Sequence, residues 1–173
     1  MASTEATVRT AHANAIISIG ASSLGFDVAA DAVREYLIEY ELPEKWSAYL
    51  QANVGNAKVT RRWGLHVDTS EQIIASASTG NTFNFEMDRR YAVRHVALYA
   101  LGVSGAGIAL VQEHARKIRA AVYALGSRLG GIVDSYDGVS DLRISVGEYP
   151  DVGRVVRAEQ VFQYRAGCTS ADF

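Results

Sequence analysis

IALVQEHARKIRAAVYALGSRL, residues 108–129, is the stretch whose reading decides the fold. Ile108, Val111, Ala115, Ile118, Val122, Leu125 and Leu129 step by three and four, which places them on one stripe of an α-helix. Glu113, Arg116, Lys117, Arg119 and Arg128 lie off that stripe, with His114 on the polar side, and Gly130-Gly131 supplies a stop. A large apolar side chain gains roughly 1.5 to 3 kcal/mol when fully buried. A helix with such a stripe therefore needs a broad partner, and the sequence just before it provides one.

That partner is RYAVRHVALYAL, residues 90–101, rich in valine, tyrosine and leucine at both parities, as in a central strand covered on both faces. Further upstream the period is also two. Val59, Trp63, Leu65 and Val67 share one face, and Thr60, Arg62, His66 and Asp68 the other. Residues 72–78 read as another short strand, and Gly80-Asn81 as a tight connection into Thr82, Phe83, Phe85 and Met87. Downstream, residues 141–147 and 154–165 alternate around Pro150-Asp151-Val152-Gly153 and read as a closing hairpin, with Val156, Ala158, Phe162 and Tyr164 facing inward. Asp134, Asp137 and Asp141 read as a glycine-containing surface loop without the alternating ligands of a calcium site.

Toward the N-terminus, Val33, Tyr36, Leu37 and Tyr40 fall at helical spacing, with Asp27 or Asp31 as a cap, so a helix is expected over 27–41. Pro43 interrupts it and can open a further turn through Leu50. Residues 1–14 are small and polar and read as a flexible arm, with 15–19 as its apolar anchor; residues 166–173 read as a tail. The expectation is one domain spanning 1–173. Its class is α+β: a mostly antiparallel sheet, two main helices on one face and a C-terminal β-hairpin.

Composition narrows the function classes. With 49% hydrophobic residues the chain can bury a core, and a net charge of -2 gives no cationic surface for nucleic acid. One cysteine, Cys168, cannot build a disulfide framework or a thiolate-rich metal site, and reducing cytoplasm is its expected surroundings. Neither a secretory leader nor a membrane span is indicated.

Motifs for chemistry fall short. Residues 20–25 lack the lysine of a Walker sequence and the spacing of a dinucleotide-binding turn. Residues 102–107 join strand to helix, where free amides can hold an anion, but turning geometry alone also explains those glycines. His12, His66, His95 and His114 occur singly, without ligand spacing, and His95 reads as a hydrogen-bonded packing histidine. No catalytic, cofactor or metal residue is assigned.

What remains is a set of strand arginines: Arg61, Arg62, Arg89, Arg90, Arg94, Arg154, Arg157 and Arg165. Guanidinium forks suit ion pairs between subunits, and the competing reading is a solvated sheet face. Nine tyrosines suit contact surfaces equally well.

The order of elements resembles the tail-terminator and neck (head-tail connector) proteins of tailed bacteriophages. The matching stretches are DAVREYLI at 31–38, RRYAVRHVALYAL at 89–101, EHARKIRAAV at 113–122 and the strand at 154–166; residues 1–26 and 43–56 exceed a minimal member. The resemblance implies a structural virion protein without cofactor or enzymatic activity. It implies a ring, in that family a hexamer, that caps the tail tube, stops its growth and joins it to the head, with tail tube and connector proteins as partners. Adaptor, stopper and other neck components are the alternatives, followed by a small α+β enzyme or a binding module. A closed ring needs two different complementary faces on each subunit. Arg61, Arg62, Arg89, Arg90, Arg94, Arg154 and Arg157, set against Glu148, Asp151 and Glu159, are the candidate interface residues.

Overall fold

The computed structural model describes residues 3–20, 24, 34–35, 52–54, 57–59, 61–79, 82–100, 108–149 and 153–169. In chain order the elements are α1 (Glu5–Ile19), β1 (Arg34–Glu35), β2 (Ala52–Val54), β3 (Ala57–Val59), β4 (Arg61–Thr79), β5 (Thr82–Ala100), α2 (Ile108–Ala124), a short 3-10 turn (Leu129–Gly131), β6 (Ser135–Val139), β7 (Arg143–Tyr149) and β8 (Gly153–Thr169). The fold is α+β, as the alternation of periods requires. The main sheet runs β1-β4-β5-β8-β6, with β7 also on β8; every pairing in it is antiparallel except β1 with β4, and β2 and β3 form a separate pair.

β5 is central, between β4 and β8. Its odd residues Tyr91, Val93, Ala97 and Tyr99 join Phe162 and Tyr164 of β8 and Val111, Ala115, Ile118 and Val122 of α2 in one buried cluster. The α2 stripe is as the spacing predicts, except that Ile108 in the first turn is exposed. The helix also ends earlier, at Ala124 rather than near Gly130. Gly126, at φ 75, adopts the left-handed conformation that closes the last turn, and its N–H reaches the Tyr123 carbonyl at 2.9 Å.

Several expectations are corrected. Residues 3–14, the described part of the expected arm, are not an arm, because α1 begins at Glu5. Thr4 and Thr7 form a reciprocal capping box, Thr7 N–H donating to Thr4 Oγ1 at 3.2 Å and Thr4 N–H to Thr7 Oγ1 at 2.9 Å. Val8, His12, Ala15 and Ile16, at i, i+4, i+7 and i+8, are buried on one face, and α1 packs on α2 and β4. The Ser3 carbonyl is held by Tyr91 Oη at 2.7 Å and by the Arg89 guanidinium at 3.0 Å. A Thr4→Ala variant should lose about 1 kcal/mol of stability, measured by urea unfolding.

The helix expected over 27–41 does not run through its length: Arg34–Glu35 is a strand, parallel to Gly64 and Leu65 of β4, and the rest lies outside the described residues, as does the turn at 43–50. The two strands expected at 59–68 and 72–78 are a single strand from Arg61 onward. Ile74 is an extra residue between Ile73, opposite Met87, and Ala75, opposite Glu86. That bulge resets the parity, which is why the alternation looks broken in the sequence. Thr79 pairs with Thr82, as a two-residue connection requires. Most of the expected loop around Asp134, Asp137 and Asp141 is β6, and the expected tail begins inside β8, where Ala166 is buried and Asp134 accepts the Gly167 N–H at 2.6 Å.

Candidate functional site

Alternation along β5 and β8 gives the sheet two unlike faces. One carries the core. On the other, Ala92, Arg94, Val96 and Leu98 of β5 alternate out of phase with the core residues, and Val96 and Leu98 are buried there together with Val155 of β8. Glu159 and Arg157 of β8 stand opposite Val96 and Leu98 on this outer face, and its charged residues run from there past Arg94 to Arg90 and Arg165.

There the guanidinium groups sit among carboxylates of the same subunit. Arg94 Nη2 lies 3.4 Å from Asp68 and its Nε 3.8 Å from Glu159, which Arg157 also approaches at 3.1 Å. Arg90 Nε is 3.0 Å from Asp88, which also takes Arg165 at 3.3 Å, and Arg165 is 3.7 Å from Asp137. These are neighbours along one strand or diagonals between paired strands, the positions at which cross-strand side chains meet. Arg90, Arg94, Arg157 and Arg165 are matched one for one by Asp68, Asp88, Asp137 and Glu159, so this surface is a balanced charge ladder rather than an anion-attracting patch. Each exposed pair contributes only about 0 to 1 kcal/mol. The small side chain of Ala92 leaves a depression of about 250 Å³ in the middle of the ladder, edged by Asp68, Ser70, Arg90, Asp137 and Gln163.

The sequence reading set arginines on one flank against acids on another. For Arg94 and Arg157 with Glu159 this is corrected: cation and anion share one face and pair within the subunit, because their parities coincide. Arg89 stands on the other face, where its Nε meets Glu71 at 2.6 Å. Glu148 is exposed near the end of β7. The side chains of Arg61, Arg62 and Arg154, and Asp151 altogether, lie outside the described residues. Asp88 was missed, although its even-numbered spacing from Arg90 and Arg94 along one strand is a signal for it.

The histidines separate into different environments. His66 lies 2.9 Å from Asp68 on the partly exposed outer face. His12 Nδ1 and His95 Nε2 are 2.8 Å apart, both side chains fully buried, with Phe162 beside each ring. Burial pushes His12 down to about 3; burial and then the neighbouring His12 push His95 well below the ordinary imidazole value. Gln160, opposite His95 on β8, is buried too, and Arg119 of α2 donates to its Oε1 at 3.3 Å. His114 is corrected from the polar side of α2 to the interior, where its Nδ1 meets Tyr99 Oη at 2.7 Å. An aromatic cluster flanks the core: burial raises the Tyr164 and Tyr136 hydroxyls above the usual phenol value, the latter also through its 3.3 Å contact with Tyr123 Oη.

Among the described residues no group of three or more histidine, cysteine, aspartate or glutamate side chains is placed to hold a metal ion, and no helix is long and apolar enough to cross a membrane.

No family model and no curated protein matches the chain. Among solved structures it is similar to a chain of the "Virion of native gene transfer agent (GTA) particle", at 16% identity, covering 90% of this chain and 92% of that one, with a TM-score of 0.33, too low to equate the two folds.

Proposed function

We propose that this chain is a structural component of a phage-like virion, a ring-forming subunit of the tail or neck that works by contact rather than catalysis. The observation that carries this reading is the charge ladder on the outer sheet face. It presents the exposed guanidinium groups of Arg90, Arg94 and Arg165, paired with carboxylates, on a two-layer support, which suits a recognised protein surface better than a pocket for a small substrate. Within that reading, a tail terminator comes first: a closed ring, taken as a hexamer, seated on the last ring of the tail tube and facing the head-tail connector, assembled in the host cytoplasm and retained in the virion. Adaptor, stopper or another neck component is the second assignment. The candidate interface residues are those of the ladder, with Arg61, Arg62, Arg89, Arg154, Glu148 and Asp151 as further members.

An enzymatic reading rests on the His66 and Asp68 pair, the latter edging the depression over Ala92. The same-face residue that follows is Ser70, but Asp68 stands between it and His66, so the base adjoins the carboxylate rather than the hydroxyl.

Size-exclusion chromatography with light scattering, on the full chain alone and with its tail-tube partner, tests the proposal. A closed assembly of several 18.7 kDa copies in either sample is the expected result. A monomer in both samples sinks it.

A further inference from the structure

The β4–β5 hairpin carries an apolar pair at its bulge, well before the Thr79–Thr82 connection that forms its tip. Ile73 is 55% and Ile74 62% exposed, side by side at the bulge. Extra residues in a bulge re-aim side chains and end regular pairing, so two adjacent isoleucines held outward are a built feature of this strand. Exposed apolar residues grouped in this way, with a polar rim, mark contact surfaces. The rim is acidic. Glu71 precedes Ile73 at the same parity, and Glu5 at the start of α1 accepts from Thr69 Oγ1 one step further along that face. Arg89 on this rim is engaged by Glu71 and the Ser3 carbonyl.

A surface of opposite character lies elsewhere on the subunit. Between α2 and the segment entering β7, a groove of about 200 Å³ has an apolar floor of Ala115 and Leu142 and a rim of Gln112, Arg116 and Arg119. Arg116 is exposed, and neither it nor Arg119 makes an ion pair among the described residues. One surface is an apolar knob edged by carboxylates; the other is an apolar groove edged by guanidinium groups without carboxylate partners.

From this we infer that the Ile73-Ile74 bulge of one copy docks into the α2 groove of a second copy, Glu5 and Glu71 lying against Arg116 and Arg119. The contact is heterologous, since each subunit keeps one free knob and one free groove, and such a contact propagates until it closes into a ring or extends as a filament. The inference rests on the ring-forming reading above and names the surfaces that meet.

The test uses the full chain with Cys168→Ser as background. Ile74→Cys and Gln112→Cys proteins are mixed under mild oxidation. The mixture should give a disulfide-linked dimer, with either protein alone giving at most a tenth as much. In parallel, Ile74→Asp and Arg116→Glu, both at exposed positions, should each weaken self-association at least tenfold by light scattering while leaving the thermal midpoint unchanged. Wild-type assembly in both charge variants, with no cross-link in the mixture, overturns the hairpin contact and leaves the ring standing. A chain monomeric both alone and with its tube partner overturns the ring and the contact together.

Discussion

Lowering the pH from 8 to 5 should destabilise this protein by about 2 kcal/mol through His12, with its buried neighbour His95 adding a loss of the same sign. Both are fully buried and held neutral, His12 with its pKa near 3 and His95 well below the ordinary value of 6.5. The unfolded chain binds protons on both below pH 6.5 while the folded chain does not, so stability is complete above that pH and declines as the pH falls toward the folded values. For His12 each unit of pH below 6.5 costs about 1.4 kcal/mol, which gives about 2 kcal/mol at pH 5, and His95 moves stability in the same direction. The geometry makes the loss local in origin. The 2.8 Å contact joins α1 to β5, so protonation of either ring places a desolvated cation between the helix and the sheet. Urea midpoints at pH 8, 6 and 5 measure the effect, and a His12→Leu, His95→Leu double variant should show a much flatter profile. An equally steep profile in that variant would assign the acid sensitivity to other groups.

Ile118→Ala should cost 2 to 5 kcal/mol, whereas Ile108→Ala on the same helix should change stability by less than about 0.5 kcal/mol. Ile118 is 0% exposed in the middle of α2 and joins the core cluster with Val111, Ala115 and Val122; Ile108 is 49% exposed in the first turn. The deletion at 118 leaves a cavity between helix and sheet, where side chains from both layers are already close-packed and relax only in part. At 108 the removed carbons were mostly in water. Thermal or urea unfolding of the two variants side by side checks the contrast. Similar losses at both positions would mean that the first turn of α2 is buried in solution.

These two experiments also divide what was legible in the sequence from what was not. The α2 stripe was readable because an amphipathic helix writes its buried face at a spacing of three and four, and the β5 and β8 strands because a buried pleat writes its face at a spacing of two. Helix α1 escaped because His12 stands in the middle of its buried stripe, and because its cap is closed by Thr4 and Thr7 rather than by the usual threonine and glutamate pair. A histidine at such a position is scored as polar until a second histidine is found against it, and His95 is 83 residues away. His114 was placed on the wrong side of α2 for the same reason, since its partner Tyr99 belongs to another element.

The sequence by itself determined the α+β class, the central place of residues 90–100, the main buried stripe of α2 and the closing strand pair, all of which follow from periodicities along the chain. Tertiary structure alone decided which charges meet: Asp88 with Arg165, Asp68 with Arg94, His12 with His95. It also decided that Ile73 and Ile74 face water at a bulge instead of joining the core. The physical reason is that periodicity is a property of local backbone geometry, whereas pairing depends on strand register and on which elements pack together, and neither is written at short range in the chain.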